Sequence, residues 1–311
     1  MMSLISIAGL SVRFATRSEC VRAVDTVDLE IARGDHLALI GESGCGKTVL
    51  GMAVMGLLPE NALIRGTIRY RERDLLQAED AEMQRIRGKE IAMIMQNTAS
   101  SLNPVIPVGI QVSEPILLHR ILPAKAVQAE AIRLLGAMGF DLPERAACRY
   151  PHEFSGGMQE RILVAIALAC RPDIVIADEP TSGLDAEVKS QILHLIKKQM
   201  ADRTLLLITH DLGTARFLCT RVAVMYAGEI VEEGPAHDLL SLPMHPYTQG
   251  LLASLPSAGL HPIPGMSPSP SHLPDGCRFC SRCPSATARC STEHPRMSVR
   301  GARRVRCFHY A

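Results

Sequence analysis

Residues 41–48 read Gly-Glu-Ser-Gly-Cys-Gly-Lys-Thr and match the complete pattern G-x-x-x-x-G-K-S/T. An apolar run at 37–40 precedes this stretch, and a helix-like run at 48–58 follows it. Glycines let the backbone adopt positive φ and turn its N–H groups toward one anion. The start of a helix adds the positive end of its dipole. We therefore predict a strand, a phosphate-binding loop and a helix, and binding of a nucleoside triphosphate.

All eight residues of this loop are predicted to bind the nucleotide. They are Gly41, Glu42, Ser43, Gly44, Cys45, Gly46, Lys47 and Thr48. In a loop of this pattern the lysine reaches the β- and γ-phosphates, and the hydroxyl at the last position holds Mg²⁺. We assign these two roles to Lys47 and Thr48.

Length and composition narrow the class of protein. The chain has 311 residues, which suggests about two domains. Its net charge of +1 favours neither nucleic acid nor an anionic membrane surface as a partner. No apolar stretch approaches the ~20 residues that a membrane-spanning helix needs, and the first residues lack the order of a secretory signal. We expect a soluble, cytoplasmic protein that does not bind nucleic acid.

Hydrophobic patterning predicts a mixed α/β fold. Residues 4–29 alternate apolar and polar side chains, as half-buried strands do, and 66–70 is a further strand candidate. Five continuous apolar runs are typical of parallel strands covered on both faces by helices. They lie at 37–40, 91–95, 174–177, 205–209 and 222–226. The segment at about 97–170 has a mostly helical pattern, and Pro, Ser and Gly dominate from residue 256.

Two acidic residues end one of the predicted strands. Residues 173–180 read Asp-Ile-Val-Ile-Ala-Asp-Glu-Pro, so that Asp178 and Glu179 stand at the strand tip. Phosphoryl transfer depends on positioning and on charge compensation. Asp178 can therefore hold the Mg²⁺ shell, while Glu179 can orient or deprotonate the attacking water.

Four further segments are weak signals when each is taken alone. Residues 154–158 open an apolar helix, with Ser155 as a good N-cap and two glycines that allow close approach of an anion. Residues 182–185 read Ser-Gly-Leu-Asp, His210 follows a predicted strand, and Gln96 follows another.

Together these segments, in this order, resemble the nucleotide-binding subunits of ATP-binding-cassette (ABC) transporters. The resemblance covers about residues 4–255 and implies a P-loop NTPase cassette with a parallel-sheet core, an antiparallel β subdomain and a helical subdomain. We place the cassette at 1–255, its helical subdomain at about 97–170, and an irregular Cys-rich tail at 256–311. ATP and Mg²⁺ are the implied ligands.

The resemblance also implies roles for single residues. Phe14 stacks on adenine, Gln96 contacts Mg²⁺ and senses the membrane partner, Glu179 acts at the water, and His210 touches the γ-phosphate. Two cassettes would close head to tail, with the Ser155, Gly156 and Gly157 of one subunit binding ATP on the loop of the other. Because the hydrolytic set is complete, we expect an active ATPase.

Three stretches resemble the peptide and nickel importer branch of the family: 150–154, 243–247 and the cysteine-rich tail. The resemblance implies two separate membrane permeases, an extracytoplasmic substrate-binding protein and a second ATPase subunit, at the cytoplasmic face of the bacterial inner membrane. A different second subunit is favoured over an identical copy. Oligopeptides or dipeptides are the expected cargo, and nickel or a metal chelate is the alternative, to which residues 92–97 give a slight hint.

Five of the ten cysteines lie in the last 35 residues: Cys277, Cys280, Cys283, Cys290 and Cys307. In a reducing cytoplasm such clustering indicates a metal rather than disulfides. The family resemblance implies a 4Fe–4S cluster on Cys277, Cys283, Cys290 and Cys307, with Cys280 as a spare that could replace one of them. A tetrahedral Zn²⁺ site accepts the same thiolates, and unligated thiols are the third possibility.

Two other classes of protein fit the sequence less well. An ABC ATPase that acts on nucleic acid or the ribosome predicts a basic patch, coiled-coil insertions or tandem cassettes, whereas this chain has one cassette and almost no net charge. A regulatory subunit with inactive sites would not need Lys47, Glu179 and His210 together.

Overall fold

The computed structural model describes residues 3–16, 19–96 and 101–311. Within them the chain divides into two compact units. Unit 1 comprises Met1–Gln77 and Leu207–Ala311, and unit 2 comprises Ala78–Leu206.

An antiparallel sheet forms the first part of unit 1, with the strand order β2-β1-β4-β5. The strands are β1 (Ser3–Ala15), β2 (Cys20–Ala32), β4 (Ala62–Tyr70) and β5 (Arg73–Asp74). β1 pairs with β2 on one side and with β4 on the other, both antiparallel. Much of β1 and β2 alternates between buried and more exposed positions because successive side chains point to opposite faces. The antiparallel β subdomain expected from the sequence is confirmed.

A parallel strand pair carries the core of unit 1. β3 (His36–Ile40) pairs in parallel with β9 (Arg221–Tyr226), with Leu37 opposite Arg221 and Ile40 opposite Val224. Most residues of both strands are fully buried, as the continuous apolar runs predict. The helices in the described residues of this unit are α1 (Lys47–Met55), α8 (Leu212–Leu218), α9 (Ala236–Ser241), α10 (Pro246–Ala253) and α11 (Ala288–Thr292).

The C-terminal tail is more regular than we expected from its composition. β10 (Glu229–Pro235) runs antiparallel to β9, and the tail strand β12 (Arg303–Val305) pairs with β10 and with β11 (Ser298–Arg300). An ion pair fastens this addition, because Arg303 binds the fully buried carboxylate of Glu232. No alternating pattern predicts these strands, since strands of three residues are too short to show one.

Unit 2 combines a second parallel strand pair with helices. β6 (Ile91–Ile94) and β7 (Ile174–Asp178) are parallel, with Ile94 opposite Ala177. The helices are α2 (Asp80–Ile86), α3 (Val108–Leu118), α4 (Ala124–Ala137), α5 (Pro143–Ala147), α6 (Gly156–Leu168) and α7 (Ala186–Met200). β8 (Thr204–Thr209) begins in this unit and ends in unit 1. The first residues of the predicted helical lobe, 97–100, lie outside the described part of the chain.

None of the helices within the described ranges combines the length and the apolar character needed to cross a membrane. The α/β class, with parallel strands and an antiparallel sheet, is as the sequence predicts.

Candidate functional site

The loop at residues 41–48 connects the buried strand β3 to the helix α1. Its glycines all have positive φ: Gly41 at 155°, Gly44 at 80° and Gly46 at 108°. Two of them also have no room for a side chain. A Cβ on Gly41 would overlap the carbonyl oxygen of Met225, and one on Gly46 would overlap that of Ala23. The neighbouring strands β9 and β2 therefore hold both ends of the loop in close contact with their own backbones.

Lys47 lies buried within this loop, with only 7% of its surface exposed. Its Nζ donates to the carbonyl oxygens of Gly41, at 2.8 Å, and Glu42, at 2.9 Å. It also lies 3.7 Å from the Sγ of Cys45. Burial raises the pKa of the Cys45 thiol more than the nearby Lys47 charge lowers it, so the thiol is neutral. The ammonium group is thus the cation at the centre of the loop.

Glu42 contacts the C-terminal region of the chain through its carboxylate. Arg282 donates from Nη1 to Oε2, at 2.9 Å, and from Nη2 to Oε1, at 3.0 Å, while Ser267 donates to Oε2 at 2.6 Å. The backbone N–H of Glu42 donates to the hydroxyl oxygen of Tyr247, at 2.9 Å. Burial acts to raise the pKa of Glu42, but these hydrogen bonds and the charges of Arg282 and Lys47 outweigh it, so the pKa lies below its ordinary value.

The sequence did not predict three residues that contact the loop: Tyr247, Ser267 and Arg282. Two lay within stretches that we used only to recognise a branch of the family, and Ser267 lies in the Pro-rich linker. Tyr247 is the second residue of α10 and is fully buried, two residues after His245. Burial lowers the pKa of His245 to about 3, so its neutral ring accepts the N–H of Tyr247.

The other predicted residues of unit 1 are Thr48, Phe14 and His210, which belong to three different parts of the unit. Thr48 is exposed at the start of α1. Phe14 is half-buried on β1, opposite Val21 of β2, the strand whose Ala23 contacts Gly46. His210 is exposed directly after β8.

Unit 2 carries the predicted acids and Gln96. Asp178 ends β7 and is 1% exposed, and Glu179 is half-buried with φ of 49°, a left-handed conformation that is costly for a residue with a side chain. Ile94 of β6 lies opposite Ala177 of β7 in the parallel pair. Gln96 and Glu179 therefore stand two residues beyond the same pair, at the same edge.

The segment at 155–157 begins α6. Ser155 is its N-cap and accepts the N–H of Met158 at 3.4 Å, and both Ser155 and Gly156 are exposed. Gly157 is buried instead, and a Cβ there would overlap the side chain of Val188 on α7. The two glycines thus do different things: Gly157 allows close helix packing, while Gly156 leaves the helix start open to solvent.

All ten cysteines are described and none forms a disulfide. The five in the tail line one small cavity of about 10 Å³, space for roughly one water-sized atom. Burial raises the pKa of Cys277 to about 12, so this thiol is neutral. Among the residues that the structure describes, no three Cys, His, Asp or Glu side chains are spaced to hold one metal ion. Thiols are the type of donor that a thiophilic metal prefers, but in this structure they are not spaced to hold one metal ion.

Replacing Gly46 by alanine should destroy the loop, whereas replacing Gly44 should not. Both substitutions place a side chain at positive φ, at about 1–2 kcal/mol, but only Gly46 adds a collision with a neighbouring backbone, while Gly44 faces open space. We expect Gly46→Ala to lose nucleotide binding and more than ~4 kcal/mol of stability. Nucleotide titration and chemical denaturation of the two variants measure this, and equal effects would show that close approach is not the constraint.

The chain was compared with protein-family models, curated proteins and solved structures. Residues 24–182 match the ABC transporter family, and residues 231–290 match the C-terminal region of oligopeptide/dipeptide transporters. The oligopeptide transport ATP-binding protein AppD of Bacillus subtilis is 40% identical, over 100% of this chain and 98% of its own length. The dipeptide transport ATP-binding protein DppD of the same organism is 41% identical, over 99% and 95%.

A solved structure of similar fold is the dimeric, post-hydrolysis state of an ATP-binding cassette bound to ADP and phosphate. It is 26% identical, with a TM-score of 0.66, over 75% of this chain and 98% of its own length. Full-length identity near 40%, together with a family match over half of the residues, decides the classification. The chain belongs to the ABC transporter family, as one of its ATP-hydrolysing subunits.

Proposed function

We propose that this protein hydrolyses ATP to drive the import of oligopeptides or dipeptides through separate membrane permeases. The observation that carries this proposal is the similarity to peptide-transport subunits along the whole chain, including the tail. The protein would act at the cytoplasmic face of the bacterial inner membrane, with an extracytoplasmic protein delivering the cargo. We retain 1–255 as the cassette, 97–170 as its helical subdomain and 256–311 as the tail.

The phosphates of ATP are proposed to bind the loop at 41–48. Lys47 already has its ammonium group at the centre of the loop, where it would exchange contacts with loop carbonyls for contacts with the β- and γ-phosphates. The side chain of Phe14 would stack on adenine and His210 would contact the γ-phosphate. The negative charge of the triphosphate would be compensated by the buried ammonium group of Lys47 and by the N–H groups of the loop.

Mg²⁺ is the metal that this reaction needs, and the oxygen donors available suit it. Thr48, Gln96 and Asp178 would hold the ion, which supplies charge neutralisation at the phosphates. Glu179 is proposed to take the proton of the attacking water. The strained backbone of Glu179 supports this assignment, because such strain is concentrated at functional sites.

A second ATPase subunit is proposed to complete each ATP site with its residues at 155–157. In this chain the exposed start of α6 supports the assignment, since Ser155 and Gly156 are accessible. The helix start offers N–H groups and the positive end of a dipole to a phosphate. We favour a different second subunit over an identical copy.

An apolar groove on unit 2 is the proposed docking site for a cytoplasmic segment of a permease. The groove has a volume of about 500 Å³ and lies along α3 and α4. Ile110 and Leu117 line it and are 58% and 50% exposed, so that apolar area is left open to water. Exposed apolar patches of this kind mark interaction sites, and a permease is the partner that the ATPase must contact to drive import.

The tail is proposed to bind a metal through Cys277, Cys283, Cys290 and Cys307, with Cys280 as the spare. A 4Fe–4S cluster and Zn²⁺ are both candidates. What supports the proposal is that all five thiols line one cavity. The thiols would have to move toward a common centre, and a metal would favour their deprotonation.

Glu179→Gln tests the catalytic assignment. The variant keeps shape and hydrogen bonding but cannot accept a proton, so we expect ATP binding to persist while hydrolysis falls by ~10²-fold or more. Steady-state ATPase assays measure this, with Glu60→Gln as the control at an exposed glutamate. Turnover near the wild-type rate would remove Glu179 as the base.

In a strain whose only copy carries Glu179→Gln, uptake of labelled dipeptide should be lost. Loss of Ni²⁺ uptake with retained peptide uptake would contradict the peptide assignment and favour the metal cargo.

Ile110→Asp tests the docking groove. A charge in the apolar groove should abolish peptide uptake in cells and leave ATP binding by the isolated subunit unchanged, because the groove is not part of the proposed ATP site. Leu142→Asp is the control, since Leu142 is 56% exposed and does not line the groove. Equal loss of uptake in both variants would contradict the assignment.

Metal analysis tests the tail. Protein purified without oxygen should contain iron or zinc, and Cys283→Ser should lower that content while Cys280→Ser and the exposed Cys148→Ser should not. Elemental analysis and visible absorption distinguish the two metals. A wild-type sample that contains neither metal would contradict the proposal.

A further inference from the structure

The C-terminal region reaches the phosphate loop through one side chain, Arg282. This residue ends a short 3-10 turn, Cys280–Arg282, and its side chain is only 6% exposed. Two parallel hydrogen bonds join its guanidinium to both carboxylate oxygens of Glu42, 240 residues away in the sequence. Such two-pronged contacts fix geometry as well as charge. Both residues belong to unit 1.

Arg282 makes three further hydrogen bonds. Nε donates to the carbonyl oxygen of Pro264 at 3.1 Å, and Nη1 donates to the hydroxyls of Ser267, at 3.0 Å, and Tyr226, at 3.3 Å. The rings of Tyr226, Tyr247 and Phe279 pack against one another, with centroids 4.4–5.5 Å apart. Arg282 is therefore held in place before it binds Glu42, which reduces the entropy that the contact costs.

Glu42 transmits this contact to Lys47. Its carbonyl oxygen accepts from Lys47 Nζ, and its backbone N–H donates to Tyr247. A residue held by its side chain and by its N–H has little freedom left, so its carbonyl, and with it the ammonium group, keeps one position. Arg282 thus acts on Lys47 through Glu42.

Charge gives Arg282 a second effect. The carboxylate of Glu42 belongs to a loop that is proposed to bind a triphosphate, and a negative charge there opposes an anion. It also attracts the cation that the phosphates need. The guanidinium of Arg282 neutralises this carboxylate at hydrogen-bond distance.

We propose that Arg282 is a positioning residue for ATP binding: it neutralises and orients Glu42, and so makes the phosphate loop receptive to a triphosphate. The tail is then part of the ATP site rather than a separate appendage. This inference rests on the assignment of residues 41–48 as the ATP site.

Arg282→Met is the main test, with the Kd, KM and kcat for ATP as readouts. Loss of a charged hydrogen-bond partner next to the anion site should raise Kd and KM about tenfold or more, with kcat within about twofold, since Arg282 does not touch the reacting atoms. Arg282→Gln, which loses the charge and the forked donors but keeps a polar side chain, should show the same direction and carries the test if the Met variant does not fold. A folded variant with unchanged KM, or a loss confined to kcat, would overturn the proposal.

Two rescues separate this role from a merely structural one. Adding Glu42→Gln to Arg282→Met removes the uncompensated carboxylate and should lower KM at least threefold relative to Arg282→Met alone. Arg282→Lys keeps the charge but loses the two-pronged contact, so its KM should lie between those of the wild type and Arg282→Met. If neither variant binds ATP more tightly than Arg282→Met, Arg282 does not act by neutralising the carboxylate of Glu42.

Arg303→Met is the matched control. Arg303 is another largely buried arginine of the tail in an ion pair with a buried carboxylate, that of Glu232. Its substitution should lower the thermal midpoint of unfolding without changing KM.

Lys47→Ala separates the role of Arg282 from the assignment of the ATP site. If Lys47→Ala loses ATP binding while Arg282→Met binds ATP normally, only the role of Arg282 is overturned. If Lys47→Ala retains ATP binding, the ATP site itself is overturned.

Discussion

The close approach of two strand backbones to the loop at 41–48 is the constraint on which unit 1 depends. Carbonyl oxygens of Ala23 and Met225 occupy the space that side chains at Gly46 and Gly41 would need. The loop is thereby fixed from both sides by β2 and β9, and its own geometry brings two carbonyls to Lys47. An anion site of this kind works because its donors are oriented before the ligand arrives. Glycine is therefore required at Gly41 and Gly46 for two reasons: the positive φ, and the close approach of a neighbouring backbone.

The C-terminal tail also contacts the phosphate loop, although the two are far apart in the sequence. A strand of the tail extends the sheet at β10, the aromatic cluster of Tyr226, Tyr247 and Phe279 fills the space beside it, and Arg282 completes the contact at Glu42. At the last of these contacts, the charges of Arg282 and Glu42 are removed from water together, which limits the cost of burying them. Segments distant in sequence thus combine to hold one loop.

Sequence patterns were sufficient for the features that a local rule encodes. The runs at 37–40, 174–177 and 222–226 became buried strands because strands covered on both faces need continuous apolar side chains. The loop at 41–48 and the N-cap at Ser155 also follow from short-range chemistry. By contrast, the pairing of Arg282 with Glu42 and the strand pairing of β12 with β10 depend on long-range contacts, which no window of sequence contains. Only the crowding of cysteines signalled that the tail folds at all, and it did not reveal the contact with the loop.

Backbone strain differs between the phosphate loop and the turn at Glu179. In the phosphate loop, positive φ falls on glycines, which adopt it without a steric cost. At Glu179 the same region of φ falls on a residue with a side chain, at about 1–2 kcal/mol. A glycine would remove that cost but also the carboxylate, so the strain is the consequence of needing a functional group at a sharp turn. The preceding strand, Ile174–Asp178, is buried at every position, and this packing can sustain the strain. The phosphate loop presents backbone N–H groups, so glycine can occupy its positions of positive φ. The turn at Glu179 presents a carboxylate, so its positive φ falls on a residue with a side chain and is strained.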